Sequence, residues 1–138
     1  MNKIIVLFVV MVVLFTFNFV SDNSRANTIS IYQIPITIYN SQNLSTPAPF
    51  QEPIYLNIQS INYAYNVNLI YNGTFANFQF VYENGQTIPA WIENNNSGTL
   101  LIWLKLPSIK AYGSMEIYLD IFPSNYNLLS DSGFFGIG

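Results

Sequence analysis

An all-β fold, an antiparallel β-sandwich or jelly roll behind an N-terminal signal or anchor segment, follows from three features of this 138-residue chain. Apolar residues recur with period two over most of the length beyond residue 29. Asn-Gly, Ser-Gly and proline clusters punctuate that alternation at short intervals. No stretch after the leader shows a 3.6-residue period. Six to eight short strands at regular spacing predict two packed sheets.

The composition sets the bounds. The length allows one domain, and 51% hydrophobic with 17% aromatic residues is ample for its core. Only 8% of residues are charged, against about a quarter in ordinary domains, so Asn, Gln, Ser, Thr and Tyr must cover the surface. Such a surface changes little in charge as carboxylates protonate, which suits an acidic exterior. Of the four basic residues, Lys3 and Arg25 lie in the leader, leaving Lys105 and Lys110 in the body. That is too little to neutralise phosphates, and nucleic acid is not an expected partner. With no cysteine and no histidine, thiolate chemistry, disulfides and imidazole catalysis are excluded. No cofactor or metal is expected.

Residues 1–26 read as an export signal: Lys3, an unbroken apolar run over 4–15, then a polar tail in which Ser24 and Ala26 supply the small residues a signal peptidase requires. The alternative is an uncleaved anchor, with membrane contact through residues 4–20 only; Thr16 and Asn18 interrupt that run. Either way residues 27–138, the sandwich domain, are expected outside the cell membrane, extracellular or on the cell surface.

The strands follow in order. Ile34, Ile36 and Ile38 alternate with Pro35, Thr37 and Tyr39, and Pro35 places that stretch at a sheet edge or bulge. Residues 40–53, with three prolines, form a loop. Ile54, Leu56 and Ile58 line one side of the next strand, and Ile61 to Tyr71 reads as one long or two short strands. Asn72-Gly73-Thr74 is a turn. Residues 78–106 then read as a meander of three consecutive strands with both tryptophans. Asn84-Gly85 is its hairpin turn, and Asn94 to Gly98 its second loop. Trp91, between Pro89 and Ile92, is expected in the core, and Trp103 on the opposite face. A last clear strand carries Ile117, Leu119 and Ile121. The apolar end, 133–138, is a further strand, an intermolecular edge strand, or the point where the chain stops short of another segment.

Several of these stretches occur together in a known pattern. Tyr32-Gln33-Ile34-Pro35-Ile36-Thr37-Ile38-Tyr39-Asn40, Phe78-Gln79-Phe80, Asn84-Gly85, Ile88-Pro89-Ala90-Trp91-Ile92-Glu93, Ile102-Trp103-Leu104-Lys105-Leu106-Pro107-Ser108-Ile109 and Gly113-Ser114-Met115-Glu116-Ile117-Tyr118-Leu119 stand in that order. The series is similar to a family of uncharacterised exported domains in archaeal and bacterial surface proteins, often beside concanavalin-like lectin modules. The resemblance covers residues 31–122. It implies a β-sandwich on an exported protein and no reaction. Members often carry an Asp and an Arg where this chain has Asn77 and Gln79, so a charge-dependent role of that strand is not carried over.

Few groupings suggest chemistry. Asp131-Ser132-Gly133 resembles the triplet of aspartic proteases, which need two aspartates sharing a proton. It stands too near the end to build a cleft and reads as a polar turn. Glu116 and Asp120 share a strand face and offer oxygens to Ca²⁺, but no loop with ligand spacing accompanies them. Solvated carboxylates, one paired with Lys105, are the plainer reading. Glu83 and Glu93 are the remaining pair for glycoside hydrolysis, one at a turn and one at a far strand end. No catalytic residue is therefore assigned.

Tyr39, Tyr55, Trp103 and Tyr118 all lie opposite the aliphatic face, among Thr37, Asn57, Gln79 and Lys105. Rings with amide neighbours are what a sugar-binding surface uses; cross-strand aromatic pairs or a second covered face are the plainer reading, since aromatics are common in sheets. Asn43, Asn72 and Asn95 begin Asn-x-Ser/Thr sequons in expected loops and are the glycosylation candidates. The function expected is a non-catalytic exported surface module for adhesion, recognition or assembly, its partners other surface proteins or itself. Carbohydrate binding by the aromatic face is the alternative, and a secreted hydrolase a remote one.

Overall fold

Alternating apolar residues do sort the chain into strands, and the strands into two antiparallel sheets. The computed structural model describes residues 8–11, 30 and 32–130, with side chains for all but 8–11, 94–96 and 130. The strands are β1 (Phe8–Met11), β2 (Tyr32–Asn40), β3 (Phe50–Asn57), β4 (Phe78–Tyr82), β5 (Ala90–Asn96), β6 (Thr99–Leu106) and β7 (Ser114–Ile121). A helix α1 (Ile58–Tyr65) follows β3, and a 3-10 turn (Leu128–Ser130) follows β7. One sheet has the order β1-β2-β7-β4 and the other β3-β6-β5.

The core lies between the sheets. Ile34, Ile36 and Ile38 from β2, Ile117, Leu119 and Ile121 from β7, and Phe78 and Phe80 from β4 face Ile54 and Leu56 from β3 and Leu100, Ile102, Leu104 and Leu106 from β6. Each of these buried side chains contributes about 1.5–3 kcal/mol of transfer free energy. Two buried asparagines tie the connecting loops to this core. The Asn40 amide donates to the carbonyls of Leu44, Ile109 and Lys110. The Asn77 amide donates to Asn68 O and Phe122 O at 2.7 and 2.8 Å, while its oxygen accepts from Ile70 N at 2.7 Å. Asn77 is thus a neutral tether between these segments.

Four expectations are corrected. Residues 58–65 form a helix where 61–71 read as strand. Ile61 and Tyr65 fit both periods, so alternation alone does not separate the two. Asn57 caps the helix by accepting from Ser60 N at 2.8 Å, and Asn66, at φ 51°, ends it in the left-handed region. Ile58, Ile61 and Tyr65 then turn one side to the core, leaving Tyr63 at 92% exposure.

The meander is divided between the sheets. After Asn84-Gly85 the returning chain pairs only briefly with β4, through the Val81–Thr87 bridge and Ile88 N to Phe80 O. It then passes Pro89 and enters the other sheet as β5. Pro89 has no N–H to continue the ladder with β4. The loop after β2 is shorter than expected, because β3 already begins at Phe50. Asn95 lies within β5, opposite Leu100, and not in a loop. The hairpin turn is Ser97-Gly98 alone, with φ of 54° and 83°, the two positive values a tight type I′ turn requires.

Pro35 stands where expected, since β1 pairs only with Thr37 to Asn40 and leaves β2 without a described neighbour on that side at Pro35. β1 itself falls inside the expected leader; Lys3, Ser24 and Ala26 lie outside the described residues, as do Asp131-Ser132-Gly133 and the apolar end 133–138. No described helix is long and apolar enough to cross a membrane.

Candidate recognition face

The three-stranded sheet turns its outward side chains into a run of rings. On β6, Leu100, Ile102 and Leu104 point inward, so Leu101, Trp103 and Lys105 point out. Ladder register then sets the rows: Pro53, Trp103 and Trp91 stand side by side across β3, β6 and β5, with Tyr55 beside Leu101 in the next row. The Trp91 and Trp103 rings stack, with centroids 6.5 Å apart and planes 17° from parallel. Tyr55 is 70% exposed.

A bulge completes the arrangement. Ile92 pairs with Ile102 and Asn94 with Leu101, leaving Glu93 as the extra residue of β5. Its carboxylate accepts a hydrogen bond from Trp103 Nε1. Bulges re-aim a side chain in this way, and here the carboxylate orients one indole of the stacked pair. Lys105, exposed, stands two residues beyond Trp103, at the next outward position, and pairs in register with Gln51. Flat apolar rings bordered by a carboxylate, an ammonium and amides suit a ligand with apolar C–H faces and hydroxyl edges.

Of the four aromatic residues expected on one polar face, Tyr55 and Trp103 are on this sheet, while Tyr39 and Tyr118 are on the outer side of the other. The structure therefore brings together two of the four and separates them from the rest by the whole core. Trp91 is corrected from core to surface platform. Ala90 and Ile92 face inward beside it, which forces Trp91 outward. The series Ile88, Ala90, Ile92 was the signal that would have placed it there. The sequence offers Glu93 only as a catalytic partner of Glu83, which lies in the turn after β4 while Glu93 lies in β5 of the other sheet.

The outer side of the four-stranded sheet is self-satisfied by comparison. Gln33 Nε2 donates to Asp120 Oδ1 at 2.7 Å, and Gln79 bonds the same carboxyl from β4. Burial pushes Asp120 up, and these two amides pull it part of the way back. Tyr118 donates to Glu116; that bond, then burial and the nearby carboxylates, push its phenol up to about 12. Lys105 emerges on the opposite sheet, so neither Glu116 nor Asp120 pairs with it. Among the described residues no three acidic, His or Cys side chains gather to hold a metal. Asn43 and Asn72 are exposed, and Asn72 Oδ1 accepts from Thr74 N and Oγ1 within the turn.

One concavity lies near the face. An open groove of about 410 Å³ at one end of the sandwich is walled by Pro49, Tyr82, Pro89, Leu106 and Pro107, with Lys105 among its lining residues.

The fold and this face define an antiparallel β-sandwich with a ring-bearing sheet. Comparison with known proteins adds similarities without a reaction. Residues 74–131 match the model of a family described as a domain of unknown function (DUF2341). The chain is also 37% identical over 106 residues, 73% of its length, to uncharacterized protein 562 of Sulfolobus islandicus rod-shaped virus 1. It spans about a fifth of that curated relative, covering 18% of it. No solved structure matches.

Proposed function

We propose that this chain is a non-catalytic, exported surface module for recognition, and that its three-stranded sheet binds glycans through Trp91, Trp103 and Tyr55. The observation that carries this reading is the Trp91–Trp103 stack held on an outer sheet face, with Glu93 fixing one indole. Rings kept solely for stability have no need of an orienting carboxylate at the surface. A pyranose ring lays its C–H face on an indole, while its hydroxyls reach Glu93, Lys105 and Gln51. Export is supported by the leader pattern, and the surface role by the low charge and by the resemblance to surface-protein domains.

A glycan array probed with the wild-type protein and with Trp103→Ala tests it. The expected result is binding to a subset of glycans that the substitution removes. Absence of binding to every glycan, or binding that the substitution leaves unchanged, overturns the reading.

A further inference from the structure

Glu52 occupies a place where the pattern of its strand calls for a hydrophobe. On β3, Phe50, Ile54 and Leu56 are buried and alternate with exposed Gln51 and Tyr55. Glu52 belongs to the buried series, is 1% exposed, and stands in register with Leu104. Its Oε2 has no hydrogen-bond partner.

No described cationic side chain faces it. Among the described side chains, the ionisable groups turned to the same interior are phenols: Tyr32 from β2, Tyr65 from α1, Tyr71 from the segment between α1 and β4, and Tyr82 from β4. Asn40, at the inner end of β2, has committed its amide hydrogens to backbone carbonyls. Lys105, next to Leu104 on β6, emerges on the outer face and is exposed. β5 and β7 bring only apolar described side chains inward: Ala90 and Ile92, then Met115, Ile117, Leu119 and Ile121. A carboxylate there loses its water and gains no counter-charge, whereas the neutral acid is tolerated.

We propose that Glu52 is a built-in pH device: the sandwich is at its most stable with this carboxyl protonated, and ionisation loosens β3 from the rest of the fold. β3 is the strand to yield, because among the described strands it lies at the edge of its sheet with β6 alone beside it. Burial pushes the carboxyl from 4.5 up to about 7. The native state then holds a proton over a range in which the unfolded chain has released it. The contribution to stability is full below about 4.5 and is lost as pH rises through about 7. A shift of that size corresponds to a roughly 300-fold fall in the folding equilibrium constant from acid to alkaline pH. Tyr55 rides on the same strand, so the edge of the aromatic face loosens with it. The readout below is stability, so the proposal stands or falls separately from glycan binding.

Urea unfolding of the wild type and Glu52→Gln at pH 5, 7 and 9 tests it. The wild-type midpoint is expected to fall from pH 5 to pH 9, and the variant to lose most of that fall and exceed the wild type at pH 9. Asp120 is present in both proteins, so the difference between the two profiles belongs to Glu52. Parallel profiles, or a wild type that gains stability with rising pH, overturn the proposal. Should the variant not fold, wild-type protein with carbon-13-labelled glutamate carboxyls decides by NMR. One resonance titrating near neutrality supports the device, and every glutamate titrating below about 5 refutes it.

Discussion

The outer sides of the two sheets arise from the same two-residue alternation and end up chemically opposite. On the four-stranded sheet, the row Gln33, Asp120, Gln79 spends its donors and acceptors within itself, and Tyr118 spends its hydroxyl on Glu116. On the three-stranded sheet, the row Pro53, Trp103, Trp91 presents ring surface, and only one indole N–H is committed. The lesson concerns where a binding function can sit. A face whose polar groups already satisfy one another has little to offer a ligand. A face of rings with a carboxylate and an ammonium at its border has both surface to cover and hydrogen-bonding capacity to spend.

Both faces depend on one frame, and breaking it gives the largest effect. Asn77→Ala leaves the carbonyls of Asn68 and Phe122 and the N–H of Ile70 without their partner. A loss of about 3 kcal/mol or more is expected, read as the shift in thermal or urea unfolding. The next effect separates the faces. Trp91→Ala is expected to weaken glycan affinity about tenfold or more, whereas Tyr39→Ala and Tyr118→Ala leave it unchanged by titration calorimetry. Equal losses from both sides would erase the distinction drawn between them.

A smaller effect tests how the rings are held. A double-mutant cycle of Trp91→Ala and Trp103→Ala, read in stability, is expected to show a coupling of about 1 kcal/mol. The smallest concerns the self-satisfied side. Because burial raises Asp120 above 3.8, its stabilising contribution is complete below that value and declines as pH rises through the raised one. Asp120→Asn should therefore flatten the acid part of the stability profile while changing stability at pH 7 by no more than about 1 kcal/mol. A large loss at neutral pH would mean that the charged carboxylate, not the neutral row, holds the sheet together.

Much of the fold was legible in local pattern. The inward isoleucines of β2, the aliphatic series of β6 and the last strand were readable because each is a clean alternation with one possible buried side. Helix α1 was not, because Ile61 and Tyr65 satisfy both periods and the decision fell to Asn57 and Asn66, residues as common in turns as at helix ends. Half of the candidate site, Tyr55 and Trp103, was also legible, and both were correctly set opposite the aliphatic face. Trp91 and Glu93 were missed because a large ring next to a proline reads as core, although its neighbours Ala90 and Ile92 carry the inward direction.

By itself, the sequence determined which residues alternate, that the chain reverses somewhere between Asn94 and Gly98, and that only Lys105 and Lys110 bring basic charge beyond residue 26. These are properties of neighbours along the chain. Only the tertiary structure decided that β4 and β5 part at Pro89 into different sheets, that Tyr39 and Tyr118 stand across the core from Tyr55, and that Glu52 is sealed inside. The physical reason is that a two-residue period tells a strand which side to bury but not which strand to lie beside. That choice belongs to packing between residues far apart in sequence. It turned two tryptophans expected on opposite faces into one stacked pair.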